Sequence, residues 1–143
     1  MNARRRIGGR APATGIESVF VYGSLLPGLH NYGVVSSHVV AAREGRVRGR
    51  LVDAGRYPAL LPDSSRTVRG IWLDVSIDAL PALDELEGFS GIEETNDYER
   101  IWTTDADRPE QCGWLYVWTE SRGCPPVDSD WWPEAARGKG IEP

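Results

Sequence analysis

Thr67-Val-Arg-Gly-Ile-Trp-Leu-Asp-Val75-Ser-Ile-Asp-Ala-Leu80-Pro-Ala-Leu-Asp-Glu-Leu-Glu87-Gly88 changes its period halfway. Its first nine residues, with Val68, Ile71, Trp72, Leu73 and Val75, are rich in β-formers and read as a strand. From Ile77 the apolar residues recur at Leu80, Leu83 and Leu86, the spacing of one helical face. Ser76 or Asp78 can cap that helix, Pro81 lies near its first turn where a missing N–H costs least, and Gly88 is a natural residue just past its end. A strand feeding a single helix sets the pattern for the chain on either side. Upstream, Ser18–Tyr22 is a nearly all-apolar run, as expected of a strand buried on both faces, stopped by Gly23-Ser24 and followed by a loop from Leu25 to Gly33. Val34–Ala42 reads equally as strand or short helix. Gly45–Asp53 reads as a strand with one solvated face at Arg46, Arg48 and Arg50, and Ala54-Gly55 turns the chain into Tyr57–Leu61. Downstream, Tyr98–Thr104 and Gly113–Thr119 read as strands paired through the turn around Asp105–Pro109; the tail, with Trp131, Trp132 and Pro133, has apolar anchors without a period. Five or six strands with one helix make a mixed α+β fold, mainly antiparallel.

The 143 residues have room for one domain, expected over 16–143, after an Arg-rich tail at 1–15 that carries Arg4, Arg5, Arg6 and Arg10. No apolar run approaches the ~18 residues of a membrane span and no apolar segment follows the basic start, so neither a membrane protein nor a cleaved secretory signal is expected; the expected setting is cytoplasmic. The net charge of −5 argues against nucleic acid as a partner. The charge is uneven: Asp78–Glu110 holds 11 acids against 2 bases, leaving the rest at +4. Two cysteines, Cys112 and Cys124, are too few for a disulfide scaffold, and with His30 and His38 they form no zinc pattern. Glycine-rich nucleotide loops are missing as well.

One residue breaks the helical pattern. With Leu80 at zero and ~100° per residue, Leu83 falls at about 300°, Leu86 at about 240° and Ile77 at about 60°, an apolar arc centred near ~330°. Asp78 and Glu85 occupy the opposite side, but Glu87 falls at about 340°, inside the arc. An ionised carboxylate there is costly to bury, and the negative end of the helix dipole disfavours it further; both effects raise its pKa toward the range of a general acid or base. The bland alternatives are a frayed last turn or a pairing with Arg100. A second candidate is Tyr22-Gly23-Ser24-Leu25, where a strand end can expose backbone N–H groups as an anion-binding nest, or simply turn.

In order along the chain, Tyr22-Gly23-Ser24-Leu25 with Pro27-Gly28 and His30-Asn31, Gly49–Asp53 with Gly55 and Tyr57-Pro58, Val68-Arg69-Gly70, Leu83-Asp84-Glu85-Leu86-Glu87-Gly88, Tyr98-x-Arg100 and Asp128–Trp131 resemble the motifs of the gamma-glutamylcyclotransferase-like superfamily. The ordered set spans residues 18–131. The resemblance implies a small β-barrel flanked by helices with one cavity beside the first strand–loop junction. It further implies an enzyme that cyclises a γ-glutamyl group to 5-oxoproline and releases the attached amine, with no metal or cofactor. On matched positions, Glu87 is the catalytic acid/base, Tyr22, Gly23, Ser24 and Leu25 hold the γ-glutamyl moiety, and Tyr98 lines the pocket. The expected partner is therefore a small-molecule γ-glutamyl substrate, and the expected state a monomer or weak homodimer. Leu26 stands where many relatives carry a basic residue, which leaves the released amine open, and Glu93 and Glu94 are rival carboxylates in the connection after the helix.

The implied chemistry agrees with the residues. Closing a five-membered ring needs orientation more than an external nucleophile, and one carboxylate of near-neutral pKa can take the amine's proton and deliver it to the departing nitrogen. Two other readings differ in class. A serine hydrolase would use Ser24 with His30 or His38, although Leu26 replaces the second glycine of a nucleophile elbow. A binding protein of the same fold would hold a γ-glutamyl compound without turnover.

Overall fold

The computed structural model describes residues 15–29, 31–88 and 97–140. Among these residues there are seven strands, β1 (Ile16–Val21), β2 (Val39–Arg48), β3 (Arg50–Asp53), β4 (Pro58–Leu61), β5 (Thr67–Ser76), β6 (Glu99–Thr104) and β7 (Cys112–Val117), and two α-helices, α1 (Leu80–Glu87) and α2 (Trp132–Gly138). Five strands form one sheet in the order β2-β5-β1-β7-β6, and β3-β4 form a separate hairpin. Every pairing is antiparallel except β1 with β7, which run parallel and meet at Val19–Trp114 and Phe20–Leu115. The architecture is thus α+β and mainly antiparallel. The sheet itself is not closed. The hairpin and the C-terminal segment add to it through Trp118 N–H to the Leu60 carbonyl (3.0 Å) and Val127 N–H to the Leu51 carbonyl (3.0 Å).

Strand β1 is central and its second half, Val19–Val21, is buried to within 3% of complete, which explains the all-apolar run. Alternate residues face two cores. Val19, Val21, Leu73, Val75 and Tyr116 join Leu83 of α1 and the loop residues Leu25, Leu26 and Val35. Phe20, Trp72, Leu115 and Val117 join Leu51, Leu60, Trp132 and Ala136. Phe20 and Trp72 meet edge to face with ring centroids 5.1 Å apart.

Several sequence expectations change. The single strand expected over Gly45–Asp53 is two, because the chain leaves the sheet at Gly49; a Cβ there would lie 2.6 Å from Leu60 Cδ2 and 3.0 Å from the Leu61 carbonyl. Val34–Ala42 divides into two 3-10 turns, Tyr32–Val34 and Ser36–His38, and the start of β2. Ile77–Ala79 is also a 3-10 turn, capped by Ser76, whose hydroxyl accepts from Asp78 N–H, so α1 begins only at Leu80. That change of pitch spoils the expected arc: Leu83 is buried, whereas Ile77 and Leu86 are 44% and 39% exposed. The aperiodic tail hides α2, with Pro133 in its first turn and Ser129 bridging the Trp131 N–H and the Glu134 carboxylate. Cys112 and Cys124 are free thiols. The Arg-rich residues 1–14, His30 and the 89–96 connection, with Glu93 and Glu94, lie outside the described residues.

Candidate active site

Helix α1 ends at Glu87, on the wall of a cleft. Gly88 adopts the left-handed conformation (φ 68°), and its N–H closes the last turn onto the Glu85 carbonyl at 3.2 Å. A side chain at Gly88 would strike the Asp97 carboxyl group, so glycine is required both by conformation and by space. The chain then returns to the same point: Asp97 N–H bonds the Gly88 carbonyl (3.1 Å) and Tyr98 N–H bonds the Glu87 carbonyl (3.1 Å). Those two bonds set Tyr98, just before β6, beside Glu87. The last turn is therefore capped, not frayed.

Glu87 lines a cleft of about 1510 Å³ together with Tyr22, Tyr98, Tyr116, Trp118 and the Gly23–Leu25 loop. Its carboxyl group makes no hydrogen bond or ion pair with the described residues. Burial, reinforced by the Asp97 carboxylate, pushes its pKa up to about 7. Arg100, the alternative partner, instead reaches the Asp84 carboxylate at 3.3 Å. Asp84 also accepts from the Tyr116 hydroxyl at 2.6 Å; burial raises its pKa while the Tyr116 hydrogen bond and the Arg100 charge pull it back.

Three buried tyrosines surround the carboxyl group, and each has its pKa raised by burial with a contribution from the Glu87 charge, so all stay neutral. Tyr22 bridges three segments: its hydroxyl donates to the Tyr116 carbonyl (2.7 Å) and accepts from Leu60 N–H (3.2 Å). Tyr98 donates to the Pro58 carbonyl (2.9 Å) and packs its ring against Trp118. Their O–H protons are thus spent on the protein, and what they offer the cleft is ring surface and oxygen lone pairs.

The loop after β1 behaves differently. Leu26 N–H bonds the Gly23 carbonyl (3.0 Å), while the N–H groups of Gly23, Ser24 and Leu25 donate to no acceptor among the described residues. Free donors in succession at a strand end suit a carboxylate or an oxyanion. The Ser24 hydroxyl accepts from the Asn31 side-chain amide at 2.7 Å; His38 is not among the residues lining the cleft. Leu25 and Leu26 are buried in the core, so Leu26 packs inward and faces no ligand. Among the described residues no three His, Cys, Asp or Glu side chains cluster as metal ligands would, and no helix there is long and apolar enough to cross a membrane.

The structure brings together all six residues singled out in the sequence: Glu87, Tyr22, Gly23, Ser24, Leu25 and Tyr98 all line the cleft. Sequence reading missed Tyr116, Trp118, Asp97 and Arg122. The first two lie on or just beyond β7, whose alternation marks them as half-buried but gives no sign of which cavity they face.

The chain matches the family model described as gamma-glutamyl cyclotransferase, AIG2-like, over residues 19–134. It is 33% identical over 119 residues, 81% of its length and 76% of the relative's, to the gamma-L-glutamyl-butirosin B gamma-glutamyl cyclotransferase of Niallia circulans. Among solved structures, an AIG2-like protein from Mus musculus superposes with TM-score 0.59 at 26% identity, over 80% of this chain and 87% of that one. YkqA from Bacillus subtilis superposes with TM-score 0.68 at 17% identity, a likeness of fold; the match covers 87% of this chain and only 42% of YkqA.

Proposed function

We propose, for a chain that belongs to the gamma-glutamyl cyclotransferase, AIG2-like family, that it cyclises a γ-glutamyl group to 5-oxoproline and releases the attached amine, with Glu87 as general acid/base. The observation that carries this reading is a largely buried carboxyl group, its pKa pushed up to about 7, in the same cleft as a run of backbone N–H groups, neither with a hydrogen-bond partner among the described residues.

The proton count explains why such a carboxyl group suits the reaction. The substrate's α-ammonium carries three protons and the lactam nitrogen of the product keeps one. The other two travel to the departing nitrogen, which leaves as an ammonium. Ionised Glu87 takes one proton from the α-ammonium, and the freed amine attacks the γ-carbonyl carbon. The C–N bond to the leaving amine then breaks as the same carboxyl group returns that proton to it, and the second proton passes from the ring nitrogen to the departing amine by the same route. An acid of ordinary carboxylate pKa would be a poor acceptor at the first step; one near 7 serves both. Attack is intramolecular, so holding the γ-glutamyl chain curled is worth more than any activation. The N–H groups of Gly23, Ser24 and Leu25 are suited to grip its α-carboxylate or stabilise the carbonyl oxygen as it becomes negative.

The test is release of 5-oxoproline from a panel of γ-glutamyl compounds by wild type and Glu87→Gln. Wild type should turn over and the variant should lose at least about a hundredfold in kcat while remaining folded. Comparable turnover by the two proteins would remove Glu87 from the mechanism.

A further inference from the structure

The cleft is larger than the roughly 300–1,000 Å³ of an ordinary small-molecule site, which leaves room for the leaving amine beside the γ-glutamyl group. Three cations line it: Arg56, Arg122 and Lys139. Lys139 is occupied, its ammonium held by the Asp53 carboxylate and, at 3.0 Å, by the Gly55 carbonyl. Arg56, exposed on the β3–β4 turn, has no hydrogen bond or ion pair with the described residues.

Arg122 is unusual in its backbone. It alone among the described non-glycine residues has a positive φ, 53°, a conformation that costs a residue with a Cβ roughly 1–2 kcal/mol and persists only where surrounding contacts hold it. Two contacts do so. The guanidinium lies over the Trp118 ring, 4.1 Å from its centroid, and Nη2 donates to the Asp97 carbonyl at 2.6 Å. A guanidinium has five N–H donors in a fixed fork, so most remain free after one is used. Stacking and the hydrogen bond together hold a preoriented, exposed, positively charged fork at the edge of the cleft.

Resting on the reaction proposed above, we propose that Arg122, assisted by Arg56, is a specificity-determining residue that reads an anionic group on the leaving amine, so that the preferred substrate is a γ-glutamyl conjugate of a carboxylate-bearing amine. The N–H groups of Gly23–Leu25 are suited to meet the γ-glutamyl group's own carboxylate. The two guanidinium groups come from two other segments of chain and are positive charge beyond that need. Arginine matches a carboxylate with two parallel hydrogen bonds, and a guanidinium already stacked on an aromatic ring loses less freedom on binding.

The experiment compares γ-glutamyl-alanine with γ-glutamyl-alaninamide, which have the same shape and differ in one charge. Wild type should favour the acid in kcat/KM on the order of fivefold to tenfold, less at high salt. Arg122→Gln should bring that ratio close to 1, and Arg122→Lys should restore part of it. A wild-type ratio near 1, or equal losses on both compounds in Arg122→Gln, overturns the assignment, the latter pointing to support of Asp97 or the γ-glutamyl group instead. Calorimetric binding of both compounds to Glu87→Gln separates this inference from the reaction beneath it. Tighter binding of the acid, abolished by adding Arg122→Gln, upholds the anion reader even if wild type releases no 5-oxoproline. Turnover of both compounds without discrimination upholds the reaction and removes the reader. Binding of neither by Glu87→Gln, with no turnover of either by wild type, overturns both.

Discussion

Glu87 imposes a cost on the protein that it is proposed to serve. Its pKa rises from 4.5 in the unfolded chain to about 7 in the fold. Between those values the folded protein holds a proton that the unfolded chain has released, so this group makes stability fall as pH rises from about 4.5 to about 7 and leaves it flat above. The full difference is on the order of 3 kcal/mol. Glu87→Gln removes it, so the variant should melt above wild type at pH 8, with the gap closing near pH 4 in calorimetric scans. A variant less stable than wild type at pH 8 would contradict the picture of a carboxylate raised in pKa by burial. Activity should follow the opposite course, with wild-type kcat/KM rising through pH 7 as the base form appears. This residue was legible in the sequence because a carboxylate stood among leucines on a helical wheel. The wheel was right about Glu87 and Leu83 and wrong about Ile77, since a 3-10 turn has a different pitch, and about Leu86, which borders the cleft instead of the core. Arg122 had no comparable signal, because its left-handed backbone and its stacking on Trp118 are tertiary facts.

At the scale of elements, two junctions carry disproportionate consequence. At the end of α1, Gly88→Ala must force a left-handed residue against the Asp97 carboxyl group. We expect a stability loss of at least about 1–2 kcal/mol in urea titration. Turnover well below the variant's melting temperature should fall further than stability does, as Glu87 and Tyr98 are positioned through the same turn and small displacements of reacting groups are costly. The β6–β7 turn is held by Asp105, which is 4% exposed. Its carboxylate accepts from the Trp72 indole (2.9 Å), from Arg46 N–H (3.0 Å) and from Asp107 and Arg108 N–H within its own turn. Burial alone would raise its pKa, but these four donors outweigh it and hold the group below the usual carboxylate range. Asp105→Ala orphans donors on three segments and should cost about 3 kcal/mol, measured by urea unfolding, with the cleft chemistry largely retained; a loss under 1 kcal/mol would mean that water replaces the carboxylate. Sequence reading located this hairpin from the paired β-rich runs and the polar turn between them. It could not see that one of several acids there ties the turn to the far edge of the sheet, since all look alike in a run of charges. Helix α2 escaped because seven residues with an early proline show no period.

For the molecule as a whole, both faces of one sheet are covered, so the two cores share the same backbone hydrogen bonds. Trp132→Ala empties one core and Leu83→Ala the other; each should cost about 2–5 kcal/mol. Each variant should still unfold in one transition, with tryptophan fluorescence and far-ultraviolet circular dichroism coinciding. Separate midpoints would show that the faces hold together independently. The α+β composition and the run of strands were visible in alternation and turn residues. The order of strands in the sheet was not, because the parallel contact between β1 and β7 depends on neighbours far away in the chain.

That parallel contact also orders events in time. Phe20 meets Leu115, about 95 residues later, and a ribosome adding ~5–20 residues per second takes roughly 5–20 s to make the stretch between them. Over that interval β1 has β5 on one side, once Ile71–Ser76 have been made, but its other edge, with the buried Val19 and Phe20, waits for β7. The cleft loop directly after β1 has no finished wall to face until Tyr98, Tyr116 and Trp118 emerge. Synthesis speed and chaperone supply therefore bear on the yield of this enzyme more than its modest length would suggest, and nascent chains stalled before Leu115 should aggregate where full-length chains released from the ribosome do not.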